Sequence, residues 1–233
     1  KDTNLDYIGF EPSSNVAEVA NNNGIKTINS FFNLSSLDLI KDFVGQTDVI
    51  FAANVICHIP DLIDLIKTID KLLSKDGVFV FEEPYLGSMF KKKSYDQIYD
   101  EHIFMFSGTS VQKIFDLFDM ELIDLIKQET HGGSMRYVIS RKKQRVTSLN
   151  VQKILDEEKS NNLDNIESCL IFKKNCEDSR IELNNTINKL ISEGKRIVGY
   201  AATSKSTTIL NYCKIGPEMI EYICDTTKEK IGK

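Results

Sequence analysis

Short apolar runs alternate with amphipathic stretches through the first half of the chain, and this alternation constrains the fold more than any other feature. Leu5-Asp6-Tyr7-Ile8-Gly9-Phe10 is an apolar run ending in Glu11, and Pro12-Ser13-Ser14 supplies helix-start residues for Val16, Ala17, Val19 and Ala20. Gly24 closes that helix. Residues 25–32 read as a second strand with its loop, and Leu37, Ile40 and Val44 give residues 35–43 helical spacing. Residues 48–53 form a buried-strand run. A helix beginning near Pro60 follows, with Leu62, Ile63, Leu65, Ile66, Ile69 and Leu72 on its inner face. Gly77 breaks it, and residues 78–81 make another buried strand whose far end carries Glu82-Glu83-Pro84-Tyr85. Strands alternating with helices imply right-handed crossovers and a parallel sheet covered on both faces, which is the α/β class.

Further along, a helix is predicted over 109–118. Residues 122–126 and 135–139 then form two strands, with His131-Gly132-Gly133-Ser134 as the turn between them. Arg141-Lys142-Lys143-Gln144-Arg145 marks a polar junction. Residues 151–191 are charged, amphipathic and free of Gly and Pro, and they predict one long helix or two shorter ones. Residues 196–200 read as a strand, a Ser/Thr-rich turn opens a helix through Leu210, and 219–224 make a last strand ending at Asp225. The expected organisation is one domain over 1–145 and a second, smaller α/β unit over 146–233.

A formal charge of −5 provides no broad basic field, which argues against nucleic acid or an anionic membrane as the main partner. No apolar run approaches bilayer length, and Lys1-Asp2-Thr3-Asn4 lacks the layout of a secretory signal, so the cytoplasm is expected. Five cysteines without C-x-x-C spacing support neither a disulfide framework nor a zinc knuckle, and no metal site is expected among them. With no initiator Met and a strand within a few residues of Lys1, the chain is expected to begin inside a domain.

In open parallel sheets ligands sit beyond the carboxyl ends of the strands, so the residues just after each strand carry the candidate chemistry. Glu11, at the tip of the first strand, has the carboxylate needed to accept hydrogen bonds from ribose hydroxyls; an acid complementing the following helix is the alternative. Asn54 and His58 are polar groups immediately past the third strand. Tyr99-Asp100-Glu101-His102 places one imidazole among acids and aromatics, and a neighbouring carboxylate can fix the tautomer of a general base. His131-Gly132-Gly133-Ser134-Met135-Arg136 offers an imidazole, a hydroxyl, a guanidinium and backbone donors in one turn. Gly199-Tyr200-Ala201-Ala202-Thr203-Ser204-Lys205-Ser206 approaches a phosphate-binding loop, but Ser204 stands where its second glycine belongs, so an anion is expected near this helix start without ATP hydrolysis.

Together, Gly9-Phe10-Glu11-Pro12-Ser13, Ala53-Asn54-Val55-Ile56-Cys57-His58-Ile59-Pro60-Asp61, Glu83-Pro84-Tyr85-Leu86, residues 99–102, the His131 turn and Gly199-Tyr200-Ala201-Ala202 resemble the nucleotide-sugar C-methyltransferases. The resemblance implies a Rossmann-like class I methyltransferase sheet lacking its first strand and glycine-rich turn, a helical linker, and an incomplete second Rossmann-like unit. It implies S-adenosylmethionine as cofactor, with zinc confined to an N-terminal module outside this chain. By the same resemblance Glu11, Asn54 and His58 hold the cofactor, and Tyr99, Glu101 and His102 are catalytic. His131, Ser134, Arg136 and Lys205 meet the substrate, a keto-sugar nucleotide whose enolate His102 generates. Family members usually carry histidine where Asp100 stands, and a second carboxylate beside His102 predicts a raised imidazole pKa and an alkaline activity optimum. Methyl transfer to oxygen or nitrogen of another metabolite, and a nucleotide-binding module built on residues 199–206, are the competing expectations.

Overall fold

The computed structural model describes residues 5–232; Lys1-Asp2-Thr3-Asn4, read above for its lack of a secretory layout, lies outside them. The chain opens with β1 (Gly9–Phe10), α1 (Ser14–Asn22) and β2 (Thr27–Ile28), the two strands pairing in parallel. Both are much shorter than the apolar runs that contain them. Residues expected to form an α-helix around Leu37 and Ile40 instead form two 3-10 turns, Leu34–Leu39 and Lys41–Phe43, the first closed by a reciprocal Asn33–Ser36 cap. Such capping lets a short polar stretch turn without the apolar stripe that a longer helix needs.

β3 (Thr47–Ala53), α2 (Leu62–Leu72) and β4 (Leu73–Pro84) form a parallel crossover unit. Asp61 caps α2 by accepting the Asp64 backbone N–H at 2.9 Å. Leu65, Ile66, Ile69 and Leu72 recur at helical spacing, and all are buried. β3 departs from the expectation of a buried strand. Within the described residues it pairs only with β4, and its Val49 and Phe51 are 58% and 61% exposed. An apolar run fixes a strand's conformation, but burial depends on what packs against it.

Next come α3 (Leu86–Lys92), α4 (Gly108–Asp116) and a hairpin of β5 (Met120–Gln128) and β6 (Ser134–Arg141). β6 runs antiparallel to both β4 and β5, so the larger sheet is mixed, in the order β3-β4-β6-β5. The core lies against it: Phe79 and Phe81 alternate inward along β4, Tyr137 stacks on Phe81 at 4.6 Å, and Met135 and Ile139 complete the layer. Each such fully buried large apolar side chain contributes about 1.5–3 kcal/mol.

Residues 151–191 resolve into two helices, α5 (Leu149–Ser160) and α6 (Ile166–Ser192). α5 sends Val151 and Ile154 into the first core. α6 joins α7 (Ser204–Cys213) and α3 around a second apolar cluster that includes Met89, Tyr95, Phe172, Cys176 and Cys213. A parallel pair, β7 (Gly199–Tyr200) and β8 (Ile223–Cys224), completes the small unit. No helix among the described residues is long and apolar enough to cross a membrane.

Candidate active site

The site is built where β3 and β4 end. Along β4 the alternation Phe79, Phe81, Glu83 puts a carboxylate on the core-facing side, where it is completely buried. Its Oε1 accepts the backbone N–H groups of Val55, Ile56 and Cys57 at 2.9, 2.6 and 3.2 Å. Glu83 thereby holds the 3-10 turn Ile56–His58 that presents His58. Asn54 enters this turn with φ +53°, its N–H bonded to the Glu82 carbonyl and its side chain exposed.

The loop after α3 closes over that turn. The Ile103 N–H donates to the Cys57 carbonyl at 2.9 Å, and His58 Nδ1 contacts the Glu101 carbonyl at 2.8 Å. His102 lies beside them, its ring centroid 5.0 Å from that of His58. Its Nδ1 is 2.8 Å from the Gln97 carbonyl and its Nε2 is 2.7 Å from the Tyr99 hydroxyl. A carbonyl oxygen only accepts, so Nδ1 carries the hydrogen and Nε2 keeps the lone pair, which takes the Tyr99 O–H. Gln97, itself buried, is anchored by its Nε2 donating to the His131 carbonyl at 2.8 Å. The chain's three histidines are thus linked through backbone carbonyls.

These contacts correct two expectations. The group that orients His102 is the Gln97 carbonyl, whereas Glu101 meets His58 through its backbone and holds its side chain in solvent. Asp100 is exposed and does not raise the imidazole pKa. Burial lowers the His102 pKa below its ordinary 6.5; the Gln97 carbonyl and, more weakly, the Glu101 carboxylate oppose this, while His58 and Lys205 add to the lowering. Burial is also the main cause that raises the Tyr99 pKa, followed by Cys57, so its hydroxyl stays a donor at neutral pH.

The remaining candidates divide. Glu11 follows β1, its Oε1 accepting the Ser13 N–H at 2.8 Å while Asn29 braces the Glu11 carbonyl. A half-exposed strand-tip carboxylate with one oxygen engaged fits a ribose diol as donor partner. Lys205, in the first turn of α7, lies near enough to His102 to lower its pKa. Ser134 is buried and donates to the Thr130 carbonyl at 3.1 Å, closing its own turn. Arg136 is likewise occupied, paired across the ladder with Glu82. His131 is exposed at φ +52° and acts in the site through its carbonyl. In the 199–206 loop two of the donors expected to meet phosphate are engaged, Ala202 N–H by Asp225 and Ser206 N–H by Thr203.

Sequence reading missed Gln97 and Glu83 as site-forming residues. Glu83 carried a signal, an acid in phase with Phe79 and Phe81, whereas Gln97 acts through its backbone and carried none. Gly133 has φ +123°, and an added Cβ would come within 2.6 Å of Ser88 Oγ. Gly133→Ala is therefore expected to destabilise the chain by about 2 kcal/mol, measured by urea unfolding. A cleft of about 740 Å³ is bordered by Ser88, Lys92, Gly133 and Phe172, but His102 is not in its wall.

The chain thus has an α/β architecture with an acid at one strand tip and an imidazole beyond the ends of two others, the places where open α/β sheets receive ligands. The "Methyltransferase domain" family matches residues 1–125 and the "C-methyltransferase C-terminal domain" family matches 129–233. The chain belongs to the class I S-adenosylmethionine-dependent methyltransferases. It is 28% identical over 227 residues to the C-methyltransferase NovU of Streptomyces niveus, covering 97% of this chain and 54% of that protein. The chain therefore spans about half the length of this curated relative. Among solved structures it is similar to a SAM-dependent methyltransferase from Anabaena variabilis, with TM-score 0.44, 17% identity, and 58% and 68% of the two chains covered. It is also similar to the magnesium protoporphyrin IX methyltransferase of Synechocystis PCC 6803 with bound SAH, with TM-score 0.43, 12% identity, and 58% and 64% covered.

Proposed function

We propose that this chain methylates a carbon next to a ketone in a nucleotide-activated sugar, with His102 as the general base. The observation that carries the proposal is the His102 ring, oriented by the Gln97 carbonyl at Nδ1 so that Nε2 keeps its lone pair, which the Tyr99 hydroxyl occupies. Glu11, Asn54 and His58 would hold S-adenosylmethionine, which supplies the electrophilic methyl group when bound. Residues 1–145 carry the cofactor and the base, residues 146–233 the substrate's anionic end through Lys205, and the cytoplasm is the compartment.

A ketone acidifies the hydrogen on its neighbouring carbon, and His102 Nε2 accepts that proton. Tyr99 must first release Nε2, and its hydroxyl can then donate to the enolate oxygen, the atom where negative charge grows. Gln97 keeps Nδ1 protonated throughout, so the ring receives the new proton only at Nε2. A proton on carbon distinguishes this chemistry from methyl transfer to oxygen or nitrogen. Isotopically labelled methyl donor and a keto-sugar nucleotide, followed by carbon NMR of the product, test it. A new carbon–carbon bond supports the proposal, and a methyl ether or amine contradicts it.

The pH profile follows from the same ring. The base works while neutral and fails as it becomes imidazolium, so kcat falls on the acid side with a midpoint below 6.5 and is level from pH 7 to 9. A rate that climbs steadily through pH 8 in a kcat titration would restore the alkaline expectation and count against this account of the ring.

A further inference from the structure

Cys57, His58 and His102 each place a ligand atom within 4.8 Å of the other two. No sequence spacing announced this group, because the first two residues end the β3 turn and the third comes from the loop that folds over it. Each imidazole donates its Nδ1 hydrogen to a backbone carbonyl, His58 to Glu101 and His102 to Gln97, both at 2.8 Å. That outer hydrogen bond fixes the tautomer in which Nε2 is bare, the arrangement by which proteins orient metal-binding histidines. Two oriented imidazoles and a thiol form a nitrogen-and-sulfur donor set.

We propose that Cys57, His58 and His102 bind a soft divalent cation of the zinc class, and that occupancy switches methyl transfer off by taking the lone pair of the base. Sulfur and imidazole ligands select zinc-like cations over magnesium or calcium, which prefer oxygen. On binding, the Cys57 S–H bond breaks and its proton leaves to solvent. One sulfur–metal and two nitrogen–metal bonds form, Tyr99 gives up its hydrogen bond to Nε2, and a water completes the tetrahedron. Metal–ligand bonds of about 2.0–2.3 Å need the three atoms somewhat closer together than they now lie, a shift on the order of 1 Å that side-chain rotation supplies.

Binding stands on geometry alone, whereas inhibition rests on His102 being the base, so two measurements separate them. Cobalt(II) titrated into the metal-free 233-residue chain is expected to give tetrahedral visible bands and a sulfur-to-cobalt charge-transfer band, both displaced by zinc. Cys57→Ser should abolish the charge-transfer band, and His58→Asn, a second variant in case the first fails to fold, should weaken binding at least about tenfold. No charge-transfer band in the wild type, or one undiminished in Cys57→Ser, overturns the site. In the methyl-transfer assay, zinc should inhibit the wild type, and the half-inhibitory concentration should rise about tenfold or more in Cys57→Ser. Cobalt bound through Cys57 without loss of activity would leave the cation site standing and overturn both the switch and the role of His102.

Discussion

His102→Ala is expected to lower kcat by about a hundredfold to ten-thousandfold while leaving affinity for the cofactor product unchanged, because it removes the proposed general base and none of the residues proposed to hold the cofactor. The size of the loss follows from the site. Within the His102 ring, Nε2 is the nitrogen free of a backbone carbonyl, and the Tyr99 hydroxyl at 2.7 Å keeps it aimed. Under the proposed mechanism, alanine leaves the ketone's neighbouring hydrogen with no acceptor of suitable pKa at that place. The check is steady-state methyl transfer by the protein that carries this chain in its full-length context, with calorimetry of S-adenosylhomocysteine binding alongside. A rate within about tenfold of wild type would show that another group takes the proton.

Glu158→Ala is expected to destabilise the chain by about 3 kcal/mol, the largest effect on stability predicted here, lowering Tm by roughly 6–12 °C. Glu158 lies on α5 and is 3% exposed. It accepts the Tyr85 hydroxyl at 3.0 Å, the Gly108 and Thr109 N–H groups at 2.7 and 2.8 Å, and the Thr109 hydroxyl at 2.6 Å. The two N–H groups belong to the first turn of α4, where a helix has donors without internal partners and favours an anion. A distant carboxylate thus caps α4 and at the same time fastens α5 to the end of β4. Urea unfolding measures the loss, and a change below about 1 kcal/mol would mean that water satisfies these donors as well as Glu158 does.

Elements with a strong period were legible in the sequence. The stripe from Leu65 to Leu72, the Phe79–Phe81 strand and the hairpin around Gly132 and Gly133 all formed where local pattern and turn chemistry agreed. Burial was less legible. Val49 and Phe51 carry the composition of a central strand, yet they are exposed where β3 pairs on one side only among the described residues. The site was legible as residue types and not as bonds. His102 stood out as a single imidazole among acids and aromatics, and Tyr99 entered through the family resemblance, but the partner that fixes the ring is a backbone carbonyl, which no side-chain pattern reveals. Glu158 lay hidden for another reason: its partners stand 49 to 73 residues away, so in the sequence it is one acid in a charged helix.

The order of dependence runs from β4 outward. Glu83 secures the turn that bears His58, the loop over that turn brings Tyr99 and His102 together, and Gln97 ties their geometry to the His131 turn. α7 packs against the start of the loop that bears His102, Tyr95 meeting Cys213 and Thr208 the Ile98 carbonyl, so the second unit borders this loop rather than hanging from the first.

The most direct test of His102 as a carbon-proton base is solvent exchange without methyl transfer. A keto-sugar nucleotide would be incubated in deuterium oxide with S-adenosylhomocysteine in place of the methyl donor, and proton NMR would follow the hydrogen next to the ketone. Exchange catalysed by the wild type and lost in His102→Ala is the predicted result; exchange that continues undiminished in the variant would contradict it.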